Sequence, residues 1–244
     1  MANEIKKRLV ERGQRLIATE PEKAKVAFDD INLVNDIEHY PHAFVLGCIA
    51  DRQINAERAW KIPSRLKDKL GSFDFARLEA LTQEKVAGIM QGEHRFCADV
   101  AKAYFLAIKR IRSEYEGDAS RIWSNAPSSA EVVYRFLQFD GVGPKIATMA
   151  ANILVRHFKV RLSDYYSIDI SVDVHVKRVF QRLGLVGKDA NNDQIIYRAR
   201  SLCPEFPGLL DFPSWEIGHN WCRPNNPKCS ECNVNDCCPS THSN

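Results

Sequence analysis

The segment Phe139-Asp140-Gly141-Val142-Gly143-Pro144-Lys145 separates two helical patterns and decides the fold of the chain. The first pattern, about Glu131–Gln138, predicts a helix that stops at two glycines, and Pro144 suits the first turn of the next helix. Glycine adopts positive φ and has no Cβ, so the N–H groups of such a turn, at the positive end of the second helix, can meet a phosphate oxygen closely. An ordinary corner between two helices has the same pattern, and Gly-Val-Gly alone does not separate the two interpretations.

Lys145 favours the phosphate-binding interpretation. It falls in the first turn of a helix whose remaining face is apolar, at the end where the helix dipole prefers anions. Partial burial and the dipole would both disfavour the protonated amine and so make it a better nucleophile. A simple contact between the lysine and a phosphate is the alternative.

A second segment with candidate catalytic residues surrounds Asp173, where an extended run ends and a helix begins. Asp173 is placed to cap that helix by accepting N–H bonds from its first turn, which would explain the residue fully. If its carboxylate lies near Lys145, it could also stabilise positive charge on a substrate carbon and help move protons. His175 is a polar contact or a packing residue, and we favour packing. Lys177 and Arg178 are expected to face solvent or phosphate.

Four cysteines with the spacing Cys222-x6-Cys229-x2-Cys232-x5-Cys238 form the strongest signal in the chain. Four thiolates in one short loop suit a compact metal centre, and their spacing matches neither the paired knuckles of most four-cysteine zinc sites nor ferredoxin runs. From chemistry alone, zinc and iron–sulfur remain close alternatives. Cys237 could replace its neighbour as a ligand, but the x5 spacing favours Cys238.

Apolar residues recur at helical spacing along nearly the whole chain. One such stripe consists of Ile146, Met149, Ala150, Ile153 and Leu154. Only residues 165–172 mix the aromatic and β-branched side chains that favour extended backbone. The pattern predicts an all-α protein.

Composition excludes several classes of protein. The chain has 244 residues, 45% hydrophobic and 27% charged, which is enough to bury one large core or two modest ones and too apolar for disorder. A net charge of +3 argues neither for nor against binding to nucleic acid, because basic residues can collect on one face of a protein. No stretch approaches the ~20 apolar residues of a membrane span. Because the start also lacks a secretory signal, we expect a cytoplasmic protein, associated with the nucleoid in a prokaryote, and no membrane partner.

The chain resembles the endonuclease III branch of the helix-hairpin-helix DNA glycosylases from about residue 44 to 238. Three motifs that follow each other in this order carry the resemblance: Gly-Val-Gly-x-Lys, Val-Asp-x-His and the four-cysteine motif. The resemblance implies an all-α fold of two helical lobes that flank a DNA-binding cleft. Residues 41–150 would form a six-helix lobe with the hairpin. Residues 1–40 plus 151–244 would form a helical lobe with the cluster loop at 222–238. It also implies a [4Fe–4S] cluster, a monomer, and double-stranded DNA containing a damaged or mismatched base as partner.

The resemblance also assigns roles to single residues. It implies that Lys145 is the nucleophile that attacks C1′ of a flipped nucleotide and that Asp173 is the carboxylate that assists. The cluster ligands would be Cys222, Cys229, Cys232 and Cys238. The DNA contacts would be Gln53 on an early helix, filling the gap left by the flipped base, Gln91 in a wedge loop, and Gly141, Val142, Gly143, His175 and Lys177.

The sequence departs from the family pattern at several points. Asp140 and Pro144 alter the hairpin, where many relatives have Leu-Pro at its start and a basic residue before the lysine. The link between Lys145 and Asp173 is longer than in the best-known members, which predicts a remodelled pocket. Asp169 in this link is a rival carboxylate, but the Val-Asp-x-His frame selects Asp173.

These observations predict a base-excision repair glycosylase with AP-lyase activity, in which a Lys145 Schiff base leads to β-elimination. A monofunctional glycosylase, in which Asp173 assists attack by water, is one alternative. A non-catalytic iron–sulfur protein that binds DNA is another. The sequence leaves oxidised pyrimidines, uracil, mismatched thymine and oxidised purines open as substrates.

Overall fold

A computed structural model describes residues 2–19 and 32–241, and every regular element in these ranges is helical. The helices run Ala2–Ala18 (α1), Asn32–Asn35 (α2), Pro41–Ala50 (α3), Ala56–Trp60 (α4), Ile62–Leu70 (α5), Phe75–Glu79 (α6), Gln83–Met90 (α7), Cys97–Tyr115 (α8), Ser129–Leu137 (α9), Pro144–Arg156 (α10), Val174–Arg182 (α11), Asn192–Leu202 (α12) and Asp211–Asn220 (α13). The prediction of an all-α fold is confirmed. In the part of the chain covered by these ranges, no helix has the length and apolar character needed to cross a bilayer.

Buried apolar side chains form two clusters. The larger one is built mainly by α2 to α10 and includes the fully buried rings of Phe44, Tyr104 and Phe136. The smaller one joins Ile5 and Leu9 of α1 to α11, α12, α13 and the cysteine loop. The two lobes expected at 41–150 and at 1–40 plus 151–244 stay a prediction, and residues 1, 20–31 and 242–244 of the second lobe lie outside the described residues.

The turn between α9 and α10 forms the hairpin. Gly141 has φ +79°, where a side chain would be strained, whereas Gly143 caps α10 at φ −98° and ψ 178°, which any residue adopts. Val142 is buried between them and donates its N–H to the carbonyl of Phe139 at 3.0 Å. The positive φ expected of the glycines is therefore needed only at Gly141.

The long link between α10 and α11 packs against the start of α9. Asp164 accepts hydrogen bonds from the N–H and hydroxyl of Ser129, and Tyr165 stacks on Phe206 with ring centres 5.1 Å apart. These tertiary contacts hold residues 165–172 without regular structure, so the β-rich composition produces no strand among the described residues.

Two helices of the smaller cluster approach each other at a glycine. A Cβ added to Gly218 of α13 would lie 2.7 Å from Cβ and 3.0 Å from Cα of His175 in α11. Gly218 therefore sets the spacing of α13 from α11, and a larger residue would force the two helices apart.

We expect Gly218→Ala to destabilise the protein by roughly 1–3 kcal/mol, because the new methyl group overpacks this contact. Gly88→Ala is the matched control, since Gly88 is also helical but has open space around its Cα and alanine should stabilise its helix by up to about 1 kcal/mol. Urea unfolding of the two variants measures both effects. Equal stability of Gly218→Ala and wild type would contradict the close approach of α11 and α13.

Candidate active site

One pocket of about 430 Å³ contains both residues expected to act in catalysis. It is bordered by the turn between α3 and α4, one side of α10, the chain that enters α11, and the start of α13. Lys145, Asp173 and His175 all line it. The structure thus brings together side chains that lie 28 to 30 positions apart in sequence.

Asp173 caps α11, as its sequence position predicts. Its Oδ1 accepts the N–H groups of His175 and Val176, both at 2.8 Å. Among the described residues, its Oδ2 accepts no hydrogen bond and remains available to the pocket. One carboxylate therefore holds the helix in place with one oxygen and offers the other to a ligand.

Lys145 lies in the first turn of α10, immediately after the hairpin. Its side chain is exposed at the mouth of the pocket, so the partial burial expected from sequence is wrong. This position lets the amine reach either a group bound in the pocket or a phosphate held at the hairpin.

Besides the exposed Glu57, two further carboxyl groups line the same pocket. Burial raises the pKa of Asp51, which follows α3, while Lys145 and a hydrogen bond from Trp60 oppose that rise. Burial also raises the pKa of Asp211, the first residue of α13, to about 7. The carboxyl accepts a hydrogen bond from the N–H of Ser171 at 2.9 Å, and this bond opposes the rise in pKa. Sequence reasoning missed both carboxyls because neither belongs to a recognisable motif.

The pocket side of α10 carries more polar groups than its sequence pattern suggested. Asn152 and Arg156 follow Lys145 by seven and eleven positions, which places all three along one side of the helix. Met149 and Ile153, two members of the apolar stripe of α10, belong to the larger cluster or pack against it and also line the pocket. The helical spacing from Lys145 is the signal that could have identified Asn152 and Arg156.

Aromatic rings of α13 form the wall opposite α10. Trp215 stacks on Phe212 with ring centres 5.5 Å apart and on His219 with ring centres 4.6 Å apart. The His175 ring lies 6.2 Å from the Trp215 ring, so it contributes to this wall as well as to packing. Phe212, Trp215 and His219 share one helix face, a spacing that sequence reasoning overlooked.

The remaining residues expected to contact DNA lie outside the pocket. Gln53 is exposed with φ 56° in the loop after α3, because α3 ends at Ala50, so its expected place on a helix is wrong. Gln91 is exposed at the end of α7. At the hairpin, a Cβ on Gly141 would lie 2.6 Å from Nη1 of Arg52, whereas Gly143 faces open space.

Neighbouring residues of α11 and the preceding link turn away from the pocket. Asp169 forms two hydrogen bonds with Arg200, both at 2.7 Å, and does not line the pocket, which removes it as a rival to Asp173. Arg178 donates to the carbonyls of Cys222 and Gly218 instead of facing solvent or phosphate as expected. Lys177 lies on α11 outside the pocket.

The four cysteines of the spaced motif line one small cavity at the far end of α13. Cys222, Cys229, Cys232 and Cys238 share it with apolar side chains that include Leu183 and Val234, whereas Cys237 is buried outside it. In residues 2–19 and 32–241, no three His, Cys, Asp or Glu side chains converge closely enough to hold a single metal ion.

Comparison with protein families matches residues 46–205 to the HhH-GPD superfamily base excision DNA repair protein model. The chain is 31% identical over 137 residues to "Endonuclease III-like protein 1" of Gallus gallus, a match covering 53% of this chain and 40% of that protein. It is 26% identical over 134 residues to "Endonuclease III homolog 2, chloroplastic" of Arabidopsis thaliana, covering 52% and 30%. The chain thus matches less than half the length of both relatives.

Two solved structures share the fold over nearly the whole chain. A trapped covalent intermediate of endonuclease III with DNA matches with a TM-score of 0.66 at 17% identity, covering 99% of this chain and 97% of that chain. A thermostable thymine-DNA glycosylase matches with a TM-score of 0.67 at 17% identity, covering 99% and 98%. At this identity the likeness establishes the fold alone.

The raised pKa of Asp211 predicts how stability depends on pH. The folded protein holds a proton on this carboxyl that the unfolded chain releases above about pH 4, so its stabilising effect is full below that pH and is lost as the pH rises to about 7. Across this interval we expect the free energy of unfolding of wild type to fall by roughly 4 kcal/mol relative to that of Asp211→Asn. Urea unfolding at several pH values measures the difference, with the exposed Asp193→Asn as control. A difference independent of pH would contradict the assignment.

Proposed function

The chain belongs to the HhH-GPD superfamily of base excision DNA repair proteins, and from this premise we propose that it is a glycosylase with AP-lyase activity that removes a damaged or mismatched base from double-stranded DNA. The observation that carries the proposal is that Lys145 and Asp173 line the same pocket, next to the hairpin. A cavity of about 430 Å³ is of the size that binds a small molecule such as a nucleobase.

The hairpin would hold the DNA backbone. The open space at Gly143 lets a phosphate approach the N–H groups at the start of α10, where the helix dipole favours an anion. Arg52 beside Gly141 adds a positive charge, which compensates for the exposed acid at Asp140. Gln53 and Gln91 are exposed and would contact the strand from which the base is extruded, with Lys177 as an outer phosphate contact.

Extrusion of the nucleotide would place its C1′ at the mouth of the pocket and its base inside. The unprotonated amine of Lys145 attacks C1′, the bond from C1′ to the base breaks, and the base leaves with the bonding electrons. The free Oδ2 of Asp173 faces the positive charge that develops on the sugar. The amine then forms a Schiff base with the opened sugar, and β-elimination cuts the strand 3′ to the lesion.

The cysteine cavity would hold a [4Fe–4S] cluster. The four thiols of the spaced motif line it and its other lining is largely apolar, which suits a cluster with four Cys ligands. When bound, the cluster would tie the loop to α13, leaving the chemistry to the pocket.

One observation favours the monofunctional alternative. Lys145 is exposed and adjoins the phosphate-binding turn, so it could serve only as a phosphate contact. A water molecule activated by Asp173 would then attack C1′ and leave an intact abasic site. The two mechanisms give different products and different sensitivities to substitution.

We expect Lys145→Gln to abolish the covalent adduct that borohydride traps on lesion-containing DNA, because glutamine forms no Schiff base. Asp173→Asn should retain the helix cap, since asparagine caps as well as aspartate, and should slow base release by about 10²–10⁴-fold. Trapping, base release and nicking are scored separately on duplexes with single lesions, with Lys188→Gln as the control for an exposed lysine outside the pocket.

Equal trapping by wild type and Lys145→Gln would exclude Lys145 as the nucleophile. Base release that leaves intact abasic sites, resists Lys145→Gln and disappears in Asp173→Asn would instead establish the monofunctional mechanism.

For the cluster, we expect protein prepared anaerobically to be brown and to contain iron and sulfide. Cys238→Ser should lose most of the visible absorbance because it removes a ligand from the cavity, whereas Cys237→Ser should retain it because Cys237 lies outside the cavity. Visible spectra and iron analysis of the two variants make the comparison. A colourless protein that contains zinc would contradict the iron–sulfur proposal.

A further inference from the structure

Several residues that line the pocket carry buried polar atoms without a hydrogen-bond partner. Among the described residues, Oδ1 of Asn152, Nε of Arg156 and Oγ of Ser171 are closed to solvent and lack a hydrogen-bond partner, and all three residues line the pocket. Buried polar groups are normally satisfied in folded proteins. Three such atoms in the lining of one cavity are candidates for hydrogen bonds to a polar ligand that enters it.

The hydrogen-bonding role of each atom is defined by its surroundings. Asn152 donates through Nδ2 to the carbonyl of Gly208 at 2.7 Å, which leaves Oδ1 as an acceptor. Arg156 can only donate, and its guanidinium lies 4.2 Å from the centre of the Phe212 ring. The hydroxyl of Ser171 can donate or accept.

The charge of Arg156 is not matched by a close carboxylate. Within the described residues its guanidinium forms no ion pair, although Asp211 is near enough to act on it electrostatically. Burial lowers the pKa of Arg156 to about 10, so the side chain remains a cation at neutral pH. Because burial raises the pKa of Asp211 to about 7, that carboxyl neutralises the cation only in part.

A base with a ring N–H next to a carbonyl fits this arrangement. The N–H can donate to Asn152, and the carbonyl oxygen can accept from Arg156, while the rings of Phe212 and Trp215 contact the base. When the bond to C1′ breaks, its electron pair passes to the base, and the negative charge spreads onto the ring carbonyls. A cationic donor at such a carbonyl stabilises this charge as it develops.

On the basis of the function proposed above, we propose that Arg156 binds the carbonyl edge of the extruded base and stabilises the anion in which the base departs, and that Arg156 and Asn152 together select bases with adjacent N–H and C=O groups. Uracil and its oxidised derivatives carry this edge, whereas adenine does not. The expelled anion takes a proton from water after it leaves.

The test uses the whole 244-residue chain with any bound cluster and compares Arg156→Met with wild type. On duplexes containing uracil or 5-hydroxyuracil, we expect single-turnover base release to fall by about 10²–10³-fold in the variant, the range for loss of one donor to a developing anion. Nicking of a preformed abasic site should not change, because that substrate has no base in the pocket. Arg156→Lys should restore part of the loss, and Arg161→Met is the control for an exposed arginine outside the pocket.

The leaving group separates a catalytic role from a structural one. The loss in Arg156→Met should be smaller with 5-fluorouracil than with uracil, because the fluorinated anion is more stable without assistance. A structural defect would slow base release from both substrates and nicking at an abasic site by the same factor, and that result would overturn the proposal. Unchanged base release would overturn it as well.

A binding measurement keeps the inference separate from the proposed chemistry. We expect wild type to bind a duplex that contains non-cleavable 2′-fluoro-deoxyuridine more tightly than an undamaged duplex. In Arg156→Met we expect this preference to fall about tenfold or more. N3-methylation of the uracil should weaken binding of wild type by removing the N–H that Asn152 accepts. If no base is released but this preference depends on Arg156, the proposed chemistry fails and the recognition role stands. If wild type shows no preference, the recognition role fails.

Discussion

The pocket depends on one close approach of three chain segments at Gly208. A Cβ there would lie 2.9 Å from the carbonyl oxygen of Ile168 and 3.0 Å from Nδ2 of Asn152. Because Gly208 has no side chain, its N–H can donate a hydrogen bond to the carbonyl of Ile168, and its own carbonyl accepts a hydrogen bond from Nδ2 of Asn152, both at 2.7 Å. These bonds join α10, the chain that leads to Asp173 and the turn that begins α13, which are three walls of the pocket. Because they share one junction, the walls keep a common geometry.

The same junction separates the two ends of α10. Lys145 and Arg156 are eleven positions apart, which is about 16 Å along the helix axis. Lys145 follows the hairpin turn and lines the pocket together with Asp173, whereas Arg156 lies against Phe212 and within electrostatic reach of Asp211. One helix can therefore present an amine to the sugar and a guanidinium to the base. In the proposed mechanism the two cations would serve different steps because the helix holds them apart.

The parts predicted from sequence are those with local causes. Gly141 at positive φ and Pro144 in the first turn of α10 determine how the chain turns at the hairpin, and the acidic cap at Asp173 determines how it enters α11. The hairpin and the cap therefore follow from neighbouring residues. Helical spacing from Lys145 could have placed Asn152 and Arg156 on the pocket side of α10. The burial of these two residues and of Asp211 depends on tertiary packing, which no local pattern encodes. For the same reason, residues 165–172 keep a β-rich composition without forming a strand, because Ser129 and Phe206 supply partners from distant parts of the chain.

Helix α13 is short, and it connects the cysteine loop directly to the pocket. Asp211 and Phe212 begin the helix in the pocket wall, and Cys222 follows its end after ten helical residues, or about 15 Å. Arg12 of α1 holds the middle of α13 through two hydrogen bonds to Glu216 at 2.9 and 2.6 Å. The helix is therefore restrained at its start by the Gly208 junction, at its middle by α1, and beyond its end by the loop. A cluster bound by the four cysteines would act on the chemistry by fixing the far end of the helix that carries the pocket wall.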